Sequence, residues 1–262
     1  MPAADDGEST LSRATRVLEV FGPGSQALSA SEISRRTRIP MASTHRLVGE
    51  MVRLGLLERG PDKLVRVGVR LWELGWRSTA ALGLRNLALP YLEDLQSVVR
   101  HHTLLAVLDG TEVLYLERLS ARGPTTVNIT RVAGRLPAHS CPSGVLLLAF
   151  SPPELQEQVL ATHDLVAYTP HTPVEPQALR QVLADTRQRG TASLRGTVHL
   201  DAAGVAAPVR DHTGAVVAAL TVIVPNDSAT IAAARPAVVA TARAVTRALQ
   251  SSPAHLPGRV SR

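Results

Sequence analysis

Apolar positions recur at a helical period from the start of the chain. Leu11, Ala14, Val17, Leu18 and Phe21 share one face, and the turn formers Gly22 to Ser25 end that run. Ser29 or Ser31 is placed to cap a short second helix, "SEISRRT". The turn Arg38-Ile39-Pro40 then leads into a third helix from about Met41 to Leu54, with Thr44, Leu47, Val48, Met51 and Leu54 on one face. "LLERG" and "LVRVG" read as two short strands around Gly60-Pro61-Asp62-Lys63. A long helical pattern follows from Val69, broken near Gly83 and Pro90. Its first part, to about Leu82, reads as a linker helix, and the rest as the first helix of a second domain.

Beyond His102 the pattern becomes mixed. "TLLAVLDGTEVLYLERL" predicts two strands around Asp109-Gly110, and "TTVNITRV" a further strand. "PSGVLLLAF" predicts a short buried helix. "PVEPQALRQVLADTRQRG" predicts an amphipathic helix stopping at Gly190. Two more strands flank His212-Thr213-Gly214, and a closing helix spans Ser228 to Leu249. Antiparallel strands with helices on one side make the fold class α+β.

The chemistry of the third helix is divided. Its back is apolar, whereas Ser43, His45, Arg46 and Glu50 fall elsewhere. A helix–turn–helix needs that division, because the back packs on neighbouring helices while the N-terminal front enters a major groove. Arginine there can pair with guanine O6 and N7. An ordinary surface helix in a bundle is the alternative. Charge favours the DNA reading: from Arg35 to Arg70 there are nine basic residues against Glu50, Glu58 and Asp62. Arg38 closes the second helix, and Arg59, Lys63 and Arg66 lie on a hairpin with the form of a wing, available for phosphates.

Bulk composition narrows the classes. The 262 residues carry a formal charge of +6, almost wholly arginine on the basic side, with Lys63 the sole lysine. Cys141 stands alone, so neither an internal disulfide nor a cysteine-based zinc site is available. The acidic start is unlike a secretion signal, and no apolar stretch reaches membrane-spanning length, which gives a cytoplasmic expectation. Aromatic residues at 3% are too few for a base-stacking surface, a feature that duplex binding does not need.

Several segments in register resemble the IclR family of bacterial transcriptional regulators, over about Thr10 to Leu249. "LSASEISRRTRIPMASTHRLVGEMVRLGLLER" is similar to that family's winged helix, and "VGVRLWELG" to its linker helix. "HTLLAVLDGTEVLYLERL", "GRLPAHSCPSGVLLLAF" and "GVAAPVRDHTGAVVAALTV" follow its effector domain in order and spacing. The resemblance implies a winged helix–turn–helix over 9–68, a linker and dimerisation helix over 69–83, and a GAF-like effector domain over 84–250. The tails 1–8 and 251–262 are expected to be disordered. It also implies a homodimer or homotetramer on a palindromic double-stranded operator, repression favoured over activation, and a small-molecule effector without a cofactor.

DNA contacts are then expected from Arg38, Ser43, His45, Arg46, Arg59 and Lys63, and dimer contacts from Leu71, Trp72, Leu74 and Trp76. The chain departs from the family at Met41 and Ala42, which replace a lysine and a hydroxyl residue. Val145 likewise stands where a lysine is common. The loop "LPAHSCPSG" matches a pocket-lining segment and nominates His139, Ser140 and Gly144. Carboxylate-sensing relatives have an acidic residue, a cysteine and two hydroxyls at positions occupied here by Leu194, Gly204, Thr221 and Ile223. Only the threonine keeps a polar group, so the effector is expected to be larger or more apolar than a small dicarboxylate, or the pocket to be vestigial.

Other readings are a metal, thiol or small-molecule sensor module without specific DNA binding, or an enzyme. His139 and Cys141 are the elements of a nucleophilic pair, yet residues two apart seldom face each other, and no acidic residue is at hand to orient the histidine. The nine histidines show no metal-ligand spacing. No catalytic or metal-binding residue is therefore expected.

Overall fold

The computed structural model describes residues 8–22, 25–76, 79–120, 130, 132–162 and 165–251. The strand expected over Thr125–Val132 falls almost entirely outside them, as do most of the two tails. The chain divides into two compact units, residues 1–78 and 79–262.

In the first unit, α1 (Thr10–Glu19), α2 (Ala30–Thr37) and α3 (Met41–Arg53) precede a hairpin of β1 (Leu57–Arg59) and β2 (Val65–Val67). Ser29 caps α2 in a reciprocal box: its hydroxyl accepts from the Glu32 N–H, and the Glu32 carboxylate accepts from the Ser29 N–H. Arg38, with φ 56°, turns the chain out of α2, and Pro40 opens α3. Val17, Leu28, Ile33, Val48, Met51 and Val65 close one core between the three helices and the hairpin. Leu28 also exchanges backbone hydrogen bonds of 2.9 and 2.8 Å with Val65, which ties the lead-in to α2 onto the wing. A further helix, α4 (Val69–Trp76), completes this unit.

The second unit begins with α5 (Thr79–Val99), a single helix through Gly83 and Pro90 where the sequence pattern predicted breaks. Burial of Leu84, Ala88, Leu92 and Leu95 along one face outweighs the hydrogen bond that Pro90 cannot donate. The strands are β3 (His102–Asp109), β4 (Glu112–Leu119), β5 (Arg135–Pro137), β6 (Ala192–Arg195), β7 (Ala202–Arg210) and β8 (Val216–Pro225). They form one antiparallel sheet in the order β5-β4-β3-β8-β7-β6. The helices are α6 (Pro142–Ala149), α7 (Pro153–Leu160), α8 (Pro176–Arg189) and α9 (Ser228–Ser251).

Helices were expected on one side of the sheet, but they cover both. α5 and α9 pack against Leu105, Val205, Leu220 and Val222. The other face carries α6, α7 and α8 against Ala192, Ala206 and Ala219. β7 and β8 are accordingly apolar at successive positions rather than at alternate ones. The strands β5 and β6 have too few residues to show a period, and the sequence pattern revealed neither them nor α7.

Candidate functional site: a groove-reading helix and a ligand cavity

On α3 the buried residues are Thr44, Leu47, Val48 and Met51. His45 and Arg46 are exposed, Ser43 is half-buried, and none of the three makes a side-chain bond or ion pair among the described residues. Thr44 faces inward because its hydroxyl donates to the Ile39 carbonyl at 3.1 Å. The N-terminal turn of α3 has no side-chain cap, which leaves backbone donors turned outward with Ser43 beside them. A cleft of about 270 Å³ between α1 and α3 joins Ser43 and Arg46 to Thr10, Arg13 and Glu50. Arg13 thus belongs to the same basic front, although sequence reading missed it because the two arginines lie on separate helices.

Arg38, Arg59 and Lys63 are all exposed. The wing turns on Pro61 and Asp62 and then places Lys63 at φ 61°, with its N–H donating to the Gly60 carbonyl at 3.0 Å. Arg66 departs from the expectation that it is available for phosphate. Its guanidinium grips the Asp62 carboxylate with bonds of 3.1 and 2.5 Å. That pairing, with the Leu64 N–H, holds the Asp62 carboxyl at about 2. On α4, Leu74 is exposed and Leu71 half-buried. The side chains of Trp72 and Trp76 lie outside the described residues.

The second unit contains a cavity of about 40 Å³, room for the centres of roughly three waters. Leu136, Pro142, Leu194, Ala203 and Ile223 supply apolar wall. Tyr115, Thr130, Cys141, Thr197 and His199 supply the polar part, and Gly204 forms backbone wall. A Cβ at Gly204 would come within 2.6 Å of Pro142 Cγ. Leu194, Gly204 and Ile223 therefore meet at this cavity, whereas Thr221, His139, Ser140 and Gly144 lie off its lining. Thr221 shares a 2.9 Å hydroxyl bond with Ser143. Ser140 donates to the Pro137 carbonyl, and His139 Nε2 sits 3.1 Å from the Val166 carbonyl. Gly144 permits a close approach: a Cβ there would lie 2.3 Å from the Ala138 carbonyl oxygen.

Tyr115 and Cys141 give the wall buried polar groups that stay neutral. Burial pushes the Tyr115 hydroxyl well above its ordinary range, and burial likewise pushes up the Cys141 thiol, with which Tyr115 interacts. A neutral thiol is a poor nucleophile. Burial also lowers the affinity of His139 for a proton, and its ring is bound to Val166 rather than to Cys141. No group of three or more His, Cys, Asp or Glu among the described residues is arranged to hold a metal. No described helix is long and apolar enough to cross a membrane.

A winged helix with a bare basic front, followed by a sheet domain enclosing a small cavity, defines the class as an effector-responsive DNA-binding protein. Sequence comparison supports that class over both units. "IclR helix-turn-helix domain" matches residues 10–61, and "Bacterial transcriptional regulator IclR C-terminal" matches residues 77–251. The chain belongs to the IclR family and is a DNA-binding transcriptional regulator with a C-terminal effector domain.

Among solved structures it is similar to an IclR homologue from Microbacterium hydrocarbonoxydans complexed with 4-hydroxybenzoate. The two are 43% identical over 93% of this chain and 100% of that one, with a TM-score of 0.87. Among curated proteins it is 27% identical to the regulator XynR of Escherichia coli K12, over 80% of this chain and 84% of the relative. It is 28% identical to the Pca regulon regulatory protein of Pseudomonas putida, over 83% and 74% respectively.

Proposed function

We propose that the protein is a cytoplasmic repressor that grips a palindromic operator as a homodimer or homotetramer and is released by a small aromatic acid. The observation that carries the DNA half is the face of α3 with exposed His45 and Arg46 and half-buried Ser43, committed to nothing within the described residues. Arg46 is the base reader in this proposal, and Arg38, Arg59 and Lys63 are phosphate contacts flanking it. Oligomerisation is supported by apolar side chains left in solvent, with Val69 at 68% and Leu74 at 42% exposure on α4. The domain limits adopted are 9–68 for DNA binding, 69–83 for the linker and 84–250 for the effector. No step of this activity requires a catalytic residue.

The effector assignment has two supports. A 43% identical relative is complexed with 4-hydroxybenzoate. In this chain Leu194 and Ile223 offer hydrocarbon wall where carboxylate sensors are expected to be polar, and such a wall suits a ring better than a small ketoacid. The test is a gel shift on the DNA upstream of the protein's own gene across a salt series. A competitor-resistant complex that weakens steeply with salt and dissolves with 4-hydroxybenzoate is the expected result. Absence of a specific complex would overturn the DNA reading. Selective thermal stabilisation by glyoxylate or pyruvate would overturn the aromatic one.

A further inference from the structure

Arg118 lies off the lining of the cavity but is bonded to a residue, Thr130, that belongs to it. In the pairing of β3 with β4, Ala106 lies opposite Tyr115 but Leu105 lies opposite Glu117, so Leu116 is an extra residue in the ladder. Such a bulge re-aims the side chains beyond it. Glu117 is turned to the face covered by α5 and α9, where it pairs with Arg85 of α5. Arg118 is turned to the other face, opposite Leu104, which packs with Tyr115, Cys141 and Ile223 of the cavity wall. Opposed residues of a ladder share a face, so Arg118 leaves the strand on the same face of the sheet as the cavity.

Its bonding is one-sided. Nη1 donates to the Thr130 carbonyl at 2.6 Å, and Thr130 lines the cavity. Nε is buried and has no partner. Among the described residues no carboxylate pairs with Arg118. Among the described residues Nε and Nη2 have no partner, and together they form the side of a guanidinium that receives a carboxylate through two parallel hydrogen bonds. A desolvated donor without an acceptor is costly to leave unmade, and an arriving anion removes that cost.

We infer that Arg118 anchors the carboxylate of the effector through this Nε/Nη2 edge, leaving the ring to the wall of Leu136, Leu194 and Ile223. The inference rests on the effector being an acid, as in the reading above. His199 is the other cationic candidate in the wall. Its Nδ1 already accepts the Asp201 N–H at 3.3 Å and lies 3.9 Å from the Asp201 carboxylate, which repels a second anion. Tyr115 and Cys141 are neutral and suit the hydroxyl end of a hydroxylated ring.

Calorimetric titration of the full-length protein tests this, using 4-hydroxybenzoate, its neutral amide, and hexanoate as a non-aromatic acid. Wild type is expected to prefer 4-hydroxybenzoate over the amide by roughly 30-fold. Arg118→Gln is expected to lose about that factor for the acid while binding the amide within about threefold. Arg118→Lys keeps the charge without the fork and falls between them. Melting curves of the unliganded variants separate misfolding from lost recognition. An Arg118→Gln protein that folds and keeps the acid preference overturns the inference, as does a wild type that prefers no acid to its amide. A wild type that ignores the benzoates but binds hexanoate through Arg118 would sustain the anchor and refute the aromatic reading.

Discussion

Lys63 is the one lysine in the chain, and it occupies a backbone conformation in which lysine is disfavoured. At φ 61° the wing turn places it in the left-handed region, where a Cβ costs about 1–2 kcal/mol. Loops of this shape ordinarily put glycine there. Lys63→Gly should therefore relieve strain. Part of the gain is offset because glycine also frees the unfolded chain, by about 0.4–1 kcal/mol. The net expectation is a gain of up to about 1.5 kcal/mol. The readout is the urea midpoint of the first unit, followed by exchange of its backbone amides with solvent.

The same substitution should weaken DNA binding. Losing one phosphate contact makes the slope of log affinity against log salt shallower by about 0.9 per protomer. At 0.1 M salt that is roughly an eightfold loss for each protomer. Lys63→Ala separates the two effects, since it removes the charge while keeping the strain. It should weaken DNA equally and leave the urea midpoint where it was. If Lys63→Gly raises the midpoint without changing the salt slope, the lysine touches no phosphate. A lowered midpoint would mean that the turn, rather than the charge, explains the residue.

Three further outcomes are expected. Arg46→Ala should cut discrimination among operator variants by about 1–3 kcal/mol in competition binding, whereas an equal loss on every sequence would reduce Arg46 to a phosphate contact. Gly144→Ala should destabilise the second unit by about 1–3 kcal/mol, because its Cβ meets the Ala138 backbone at 2.3 Å. A circular-dichroism melt equal to that of the wild type would contradict that packing. The Asp62 carboxyl, lowered from 3.8 to about 2 by Arg66, contributes to the wing fully above the higher value and loses that contribution as pH falls through the lower one. Carboxyl-detected NMR titration with a midpoint at 3.8 would show the pair to be open.

The first unit was largely legible in the sequence because its determinants are local. Ser29 signals its cap three residues before Glu32, Pro40 stands at the start of α3, and the apolar spacing of Thr44, Leu47, Val48 and Met51 predicts the face that is buried. Arg66 was misjudged because the Arg66–Asp62 pair depends on how the turn closes, and composition shows only that a basic residue is present. α5 ran through Gly83 and Pro90 for a comparable reason. Local propensity marks both as breaks, while the core of Leu84, Ala88, Leu92 and Leu95 outweighs it.

The cavity is harder to read, and β4 shows why. Strict alternation from Tyr115 puts Glu117 on the cavity side and Arg118 under α5 and α9, the reverse of what the strand does. One extra residue at Leu116 exchanges the two charges, sending the carboxylate to Arg85 and the guanidinium toward Thr130. Nothing in "LYLERL" announces the bulge, since it exists only in the register against β3. The segment carried the family resemblance, yet Arg118 was not among the expected site residues. A charge-bearing strand next to a ligand cavity therefore has to be read by register before it is read by period.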